Sequence, residues 1–174
     1  MDGATPRVDF DFGEYARRVA EGPCFVCAFV AGHPDFRHHT LYEDDEWVAF
    51  LNRYPTLLGY TLVAPKAHIE DWVHELREEQ FLRLQSVIRV VALALADCLP
   101  TERMYSMSLG SRQGNAHLHW HLAPLPPGVP YDRQQFHAVM AEHGVFAVDD
   151  AQQAELADRI RLGLRTRYGA SATT

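Results

Sequence analysis

The sequence predicts an α+β fold with a mostly antiparallel sheet, and three observations carry that reading. Two short runs rich in aromatic and β-branched residues, 47–51 and 60–64, flank a loop punctuated by Pro55 and Gly59. Phe81, Leu84, Ile88, Val91 and Leu95 recur at intervals of three and four, marking one face of a long amphipathic helix. Apolar residues alternate with histidines over 115–122, the two-residue period of a strand. Strands and helices that mix without strict βαβ alternation point to α+β.

Taken in order, residues 1–8 read as a loose tail, and 10–20 as a short helix closed by Gly22-Pro23. The long helix starts near Arg77 and must stop before Pro100. Residues 104–109 then read as a strand, and Gly110-Ser111-Arg112-Gln113-Gly114 as a turn leading into the histidine strand. Pro124, Pro126, Pro127 and Pro130 make a stiff extended segment. Two helices close the chain. One covers 132–143 and ends at Gly144; the other covers 150–167, with Asp150 and Gln153 suited to its N-cap and N3 positions. Leu156, Ile160 and Leu164 form the apolar stripe of that last helix.

At 174 residues, with 47% hydrophobic and 22% charged residues, the chain has the composition of one ordinary globular domain. A net charge of −7 leaves no broad basic face for nucleic acid, although a local cluster of donors can still hold a small anion. Lys66 is the only lysine. The start Met1-Asp2-Gly3 has no signal-peptide pattern, and the longest apolar run, 90–96, is too short to span a bilayer. The chain therefore reads as soluble and cytoplasmic, without a membrane partner. Three cysteines, an odd number, agree with a reducing compartment, and Cys98 reads as a core thiol.

The chemistry gathers at two places. His117, His119 and His121 would project from one face of an extended strand, with Leu118, Trp120 and Leu122 on the other. Imidazole suits nucleophilic and acid–base work near neutral pH, and the middle ring, His119, is best placed to attack an electrophile. The same spacing also allows three metal ligands, or merely a strand of half-buried structural histidines. The second place is Cys24-Phe25-Val26-Cys27, which fits a zinc knuckle, a redox pair or two packed thiols. Cys24, Cys27, His68 and one strand histidine would make a tetrahedral Cys2His2 set. His33, His38 and His39 lie in a loop and read as solvent-facing. Gln113 and Asn115 sit on the turn before the histidines, where their amides can reach phosphate oxygens. Asn52 ends a strand, where its amide can read a ribose or a base.

Together these residues resemble the histidine triad (HIT) family of nucleotide hydrolases and transferases. The carrying pieces are Cys24-Phe25-Val26-Cys27, Ala49-Phe50-Leu51-Asn52, the run from Gly59 to His68, the long helix, and the run from Gln113 to Pro124. The resemblance implies a HIT-like fold over 23–128, preceded by a segment 1–22 and followed by a C-terminal helical extension, 129–174. It implies His119 as the nucleophile that forms a nucleotidyl-histidine intermediate at an α-phosphorus. His121 would contact phosphate and the departing oxygen, Gln113 would bond the phosphate chain, and Asn52 would contact the ribose. It further implies that His117 orients the nucleophile's surroundings or serves as a zinc ligand, with a structural zinc on Cys24, Cys27, His68 and His117, and a homodimer. The expected substrate is a dinucleoside polyphosphate or a nucleoside phosphoramidate. A nucleotidyltransferase or phosphorylase and a low-turnover nucleotide-binding regulator are the competing readings. A hydrolase using the triad directly on a metal ranks last, because no carboxylate ligand lies within the motif. Three positions depart from the common pattern: Tyr60 stands where histidine is usual, Gly114 where serine or threonine is frequent, and Leu125 where arginine often follows the proline.

Overall fold

The computed structural model describes residues 5–112 and 114–169. Among these residues the main sheet has five strands: β2 (Thr40–Glu43), β3 (Trp47–Leu51), β4 (Thr61–Pro65), β5 (Arg103–Ser108) and β6 (Trp120–Leu125). They lie in the order β2-β3-β4-β6-β5, all antiparallel. Five helices accompany them: α1 (Phe12–Glu21), α2 (Phe25–Val30), α3 (Glu78–Cys98), α4 (Phe136–Val139) and α5 (Asp150–Tyr168). Among the described residues no helix is long and apolar enough to cross a membrane.

Both faces of the sheet are covered, which explains why β3 and β4 are buried at every position rather than at alternate ones, with Thr61 as the one polar residue. Ala49, Leu51, Val63 and Leu122 face α3 and α5 and share one core with Leu84, Val91, Leu156 and Ile160. Val48, Phe50, Leu62, Ala64 and Ala123 face the other way, toward Val26 of α2 and Ala138 of α4. The apolar stripe of α5 thus packs into the same core as the stripe of α3. Gly59, with φ +81, makes the turn into β4. A Cβ there would lie 2.3 Å from Leu99 Cδ1, so glycine is required by conformation and by space.

Several expectations need correction. The tail at 1–8 is partly ordered: β1 (Arg7–Val8) pairs with β7 (Val145–Phe146), while residues 1–4 lie outside the described residues. The helix over 132–143 is instead α4 between two single 3-10 turns, broken by Gln135 at φ +55 and ended at Gly144 at φ +84. The cap of α5 lies one residue earlier than the sequence pattern placed it. Asp149 accepts from Gln152 N, and the Gln152 side chain accepts from Asp149 N. Cys98 is only partly buried, at the margin of the core. The histidine strand also begins late, at Trp120, leaving His117 and His119 in the loop before it. Asn115 adopts φ +53, a left-handed conformation incompatible with a ladder, and the chain enters regular pairing only afterwards.

Candidate functional site

On the sheet face opposite α3 and α5, a cavity of about 790 Å³ is lined by His117, His119, His121, Asn52, Asn115 and Phe25. The alternation survives in β6, where Trp120 and Leu122 pack toward the helices while His121 faces the cavity. Trp120 is only half-buried; it sits against Trp72 and Phe81.

One short hydrogen bond per triad ring sets its tautomer; His121 Nε2 has a second, longer contact of 3.5 Å to the Leu109 carbonyl. His119 Nδ1 lies 2.6 Å from the carbonyl oxygen of His117, so Nδ1 carries the proton and donates, and Nε2 keeps its lone pair. His121 Nδ1 lies 3.1 Å from the Tyr60 hydroxyl. Burial pushes the Tyr60 phenol up to about 12, so it stays protonated and donates; His121 Nδ1 accepts, and its proton sits on Nε2. The two rings are 4.7 Å apart between centroids. Burial lowers the pKa of both, that of His121 to about 4, so both are neutral at pH 7. His119 is only 5% exposed and meets Phe25 edge-on at 5.4 Å, so it belongs to the packed interior as well as to the cavity wall.

His117 faces elsewhere. Its Nε2 lies 2.8 Å from the Pro65 carbonyl and donates there, so Nδ1 offers its lone pair. That Nδ1 is 3.3 Å from Cys24 Sγ, 3.5 Å from Cys27 Sγ and 3.2 Å from His68 Nδ1. Cys27 Sγ is 3.3 Å from His68 Nδ1. All four donor atoms lie within 4.8 Å of one another. The grouping has local causes. The two cysteines stand three residues apart at the start of α2, one as N-cap and one in the first turn, and so share a face. A backbone bond from Leu118 N to Ile69 O, 2.6 Å, ties the His117 loop to the His68 loop. Lys66 pins the end of β4 through Glu43 at 2.6 Å and the Asp44 carbonyl at 3.0 Å. Around a tetrahedral zinc at about 2.0–2.3 Å, neighbouring donors stand roughly 3.3–3.8 Å apart, so this spacing fits such an ion closely. His68 Nε2 meets Glu70 at 3.2 Å, the outer-shell partner that a ligating imidazole typically has.

Asn52 and Asn115 line the same cavity, and each has a local bond. Asn52 Oδ1 accepts from Tyr54 N at 2.9 Å, and Asn115 Nδ2 donates to the Tyr15 hydroxyl at 2.6 Å. Gln113 lies outside the described residues.

Sequence reasoning missed the cover over this cavity. The helix α1 buries none of its residues, yet it bridges the two rims. Tyr15 bonds Asn115 on one side, and Arg18 donates to the Tyr54 hydroxyl at 3.0 Å on the other. Gly114 explains itself here: a Cβ would lie 2.7 Å from Val19 Cγ1, so a serine would push α1 away. An amphipathic reading of α1 could not find this role, because its apolar residues face the cavity and not a core.

His38 was also misread as solvent-facing. It lines the cavity with its ring 4.8 Å from Phe50 and 5.3 Å from Phe29, and burial lowers its pKa to about 4. A histidine that folds with a depressed pKa stabilises the native state fully only above its unfolded pKa, about 6.5. That contribution, at most about 3 kcal/mol, is lost as pH falls from about 6.5 toward 4. His38→Phe should flatten part of the loss of denaturant midpoint measured between pH 7 and pH 4.5. An unchanged slope would show that His38 does not titrate in this window.

The comparisons with known proteins agree with this geometry. The sequence model of the HIT domain matches residues 34–127, a span that leaves Cys24, Cys27, α1 and α5 outside. The chain is 30% identical over 104 residues to the protein hit of Bacillus subtilis, covering 59% of this chain and 70% of that one. It is 32% identical over 106 residues to an uncharacterized HIT-like protein of Mycobacterium tuberculosis, covering 60% and 72%. Among solved structures, a hypothetical histidine triad nucleotide-binding protein from Sulfolobus tokodaii superposes with a TM-score of 0.66 at 25% identity, over 82% of this chain and 92% of that one. A Zn-bound histidine triad family protein from Mycobacterium smegmatis has the same fold, with a TM-score of 0.66 at 24% identity over 85% and 97%. With the matched domain spanning more than half of the chain and the triad on its cavity wall, the protein belongs to the HIT domain family.

Proposed function

We propose that this protein is a nucleotide hydrolase that cleaves a nucleoside phosphate derivative at the α-phosphorus through a nucleotidyl-histidine intermediate. The observation that carries the reading is the pair of opposite tautomers: His119 presents a bare Nε2 and His121 an Nε2–H, on rings whose centroids lie 4.7 Å apart on one cavity wall. His119 Nε2 attacks phosphorus and the bond to the leaving group breaks. The departing atom leaves as an anion stabilised by a hydrogen bond from His121 Nε2–H and takes its proton from solvent, while Asn52 holds the ribose. Water then attacks the phosphorus of the intermediate, loses its proton to solvent, and breaks the P–N bond to restore His119. Gln113 and Asn115 are assigned to the phosphate oxygens.

The four-donor cluster is assigned to a structural zinc, since two thiols and two imidazoles suit that ion; the Mycobacterium smegmatis neighbour is Zn-bound. Bound zinc would hold α2 against the triad loop and thereby fix the His117 carbonyl that orients His119. A homodimer is assigned through β5, whose outer edge is unpaired in the sheet among the described residues. Light scattering should give twice the chain mass, and a monomer at concentrations that support full activity would remove that assignment.

Tyr60 carries a distinct prediction. Tyr60→Phe keeps the packing of a residue only 5% exposed but removes the donor that keeps the proton on His121 Nε2. Turnover should fall roughly 10- to 100-fold for substrates with poor leaving groups and much less for activated esters, since only the former need the hydrogen bond from Nε2–H. An equal loss for both kinds of leaving group would mean that Tyr60 acts by packing alone. The function itself is tested by the products formed from adenosine phosphoramidate and diadenosine polyphosphates, with and without added phosphate. A nucleoside monophosphate in both cases supports hydrolysis, a nucleoside diphosphate formed only with phosphate supports the transferase reading, and no product from either overturns both.

A further inference from the structure

A second cavity, of about 1000 Å³, adjoins the first and is walled by Arg18, Arg37 and Arg53. It shares Arg18, Phe36, His38, Arg53 and Tyr54 with the catalytic cavity but none of the triad histidines, so it opens beyond the nucleoside end and not beyond the α-phosphorus. The chain carries a net charge of −7, yet three arginines line this one cavity. Among the described residues none of the three makes an ion pair with a carboxylate: Arg18 donates to the Tyr54 hydroxyl and Arg53 to the Asp35 carbonyl. The two acids of the cavity, Asp35 and Asp150, keep their side chains 82% and 96% exposed, and Asp150 faces His39. Arginines lining one cavity without carboxylate partners suit a phosphoryl dianion, which takes two-pronged hydrogen bonds from a guanidinium.

We propose that this cavity is an anion subsite for a second phosphate carried on the ribose 2′- or 3′-oxygen of the substrate, so that the preferred substrates are nucleotides phosphorylated on the sugar as well as at the 5′ position. The proposal rests on the nucleotide reading above, in which Asn52 meets the ribose. Arg53 is the next residue in the chain, and its guanidinium reaches across to the Pro34–Phe36 turn. A ribose hydroxyl held at Asn52 would set its ester substituent beside Arg53, which lines both cavities.

Calorimetric titration of the full chain with product-like ligands tests this without turnover. Adenosine and guanosine 5′-monophosphates are compared with their 2′,5′- and 3′,5′-bisphosphates. At least one bisphosphate should bind at least tenfold more tightly than its monophosphate, with the gap narrowing as salt rises. Arg37 lies on the second cavity only and is exposed, so Arg37→Gln and Arg37→Glu should fold normally. They should shrink the gap at least fivefold while leaving monophosphate affinity within twofold. Equal affinities for monophosphate and bisphosphate in the wild type overturn the subsite and spare the nucleotide reading. A gap that survives both Arg37 substitutions places the second phosphate elsewhere and also overturns it. If no monophosphate binds at all, the nucleotide reading fails first, and the subsite falls with it.

Discussion

His119→Ala should lower turnover at least about a thousandfold, because it removes the atom that forms the covalent intermediate and no second imidazole can take its place. His121 stands nearest, but its Nδ1 is occupied by Tyr60 and its Nε2 carries the proton, so it has no lone pair to offer. His117 has a free Nδ1, but that atom faces the two cysteines and His68. Because His119 is buried against Phe25, truncation also leaves a small void, and some loss of thermal stability is expected. The informative control is therefore His119→Asn, which refills most of the space while remaining unable to attack. Both variants should lose single-turnover labelling of the protein by a nucleotide radiolabelled at the α-phosphorus. Activity within tenfold of wild type in either would remove His119 from the nucleophilic role.

Replacing Cys27 by serine should release the metal and lower the melting temperature by about 10 °C. The purified protein is expected to carry about one zinc per chain, and a structural site adds its binding free energy directly to folding. For a domain of this size, each kcal/mol at the transition moves the midpoint by roughly 2–4 °C, so a loss of about 3 kcal/mol gives the stated shift. The effect should be sharper than for an ordinary core thiol. Without an ion, burial pushes the Cys27 thiol up to about 11, whereas a divalent cation would hold it as thiolate. Chelation of the wild type should reproduce the shift, and added zinc should reverse it. Turnover should fall as well, since loosening the His117 loop frees the carbonyl that holds His119 Nδ1. Metal-free protein of full stability would assign the two cysteines to simple packing.

Much of the site was legible because its pieces carry local signals. The two-residue period at His117, His119 and His121, the C-x-x-C pair and the Pro-Lys-x-His segment are readable from residue type and spacing alone. The same holds for β3, β4 and α3, whose runs and stripes reflect burial on two faces and one face respectively. Other features leave no such trace. The strand β2 gave no sequence signal, and the left-handed turn at Asn115 that delays β6 follows from the loop's tertiary bonds rather than from the histidine pattern. The helix over 132–143 was overcalled because its residues favour helix weakly, while the Gln135 and Gly144 backbone positions divide it into single turns.

By itself, then, the sequence determined which side chains can do chemistry, their alternation and the fold class, because composition and periodicity are properties of neighbours in the chain. Only the tertiary structure decided what each group can do. The tautomers of His119 and His121 are set by the His117 carbonyl and the Tyr60 hydroxyl, and the second of these partners is 61 residues away. The separation of His117 from the other two, toward Cys24, Cys27 and His68, likewise depends on contacts 49 to 93 residues distant. The fit of Gly114 under Val19 and the gathering of Arg18, Arg37 and Arg53 at one cavity are further long-range facts. Hydrogen-bond direction, burial and charge clustering are properties of neighbours in space, and no local period encodes them.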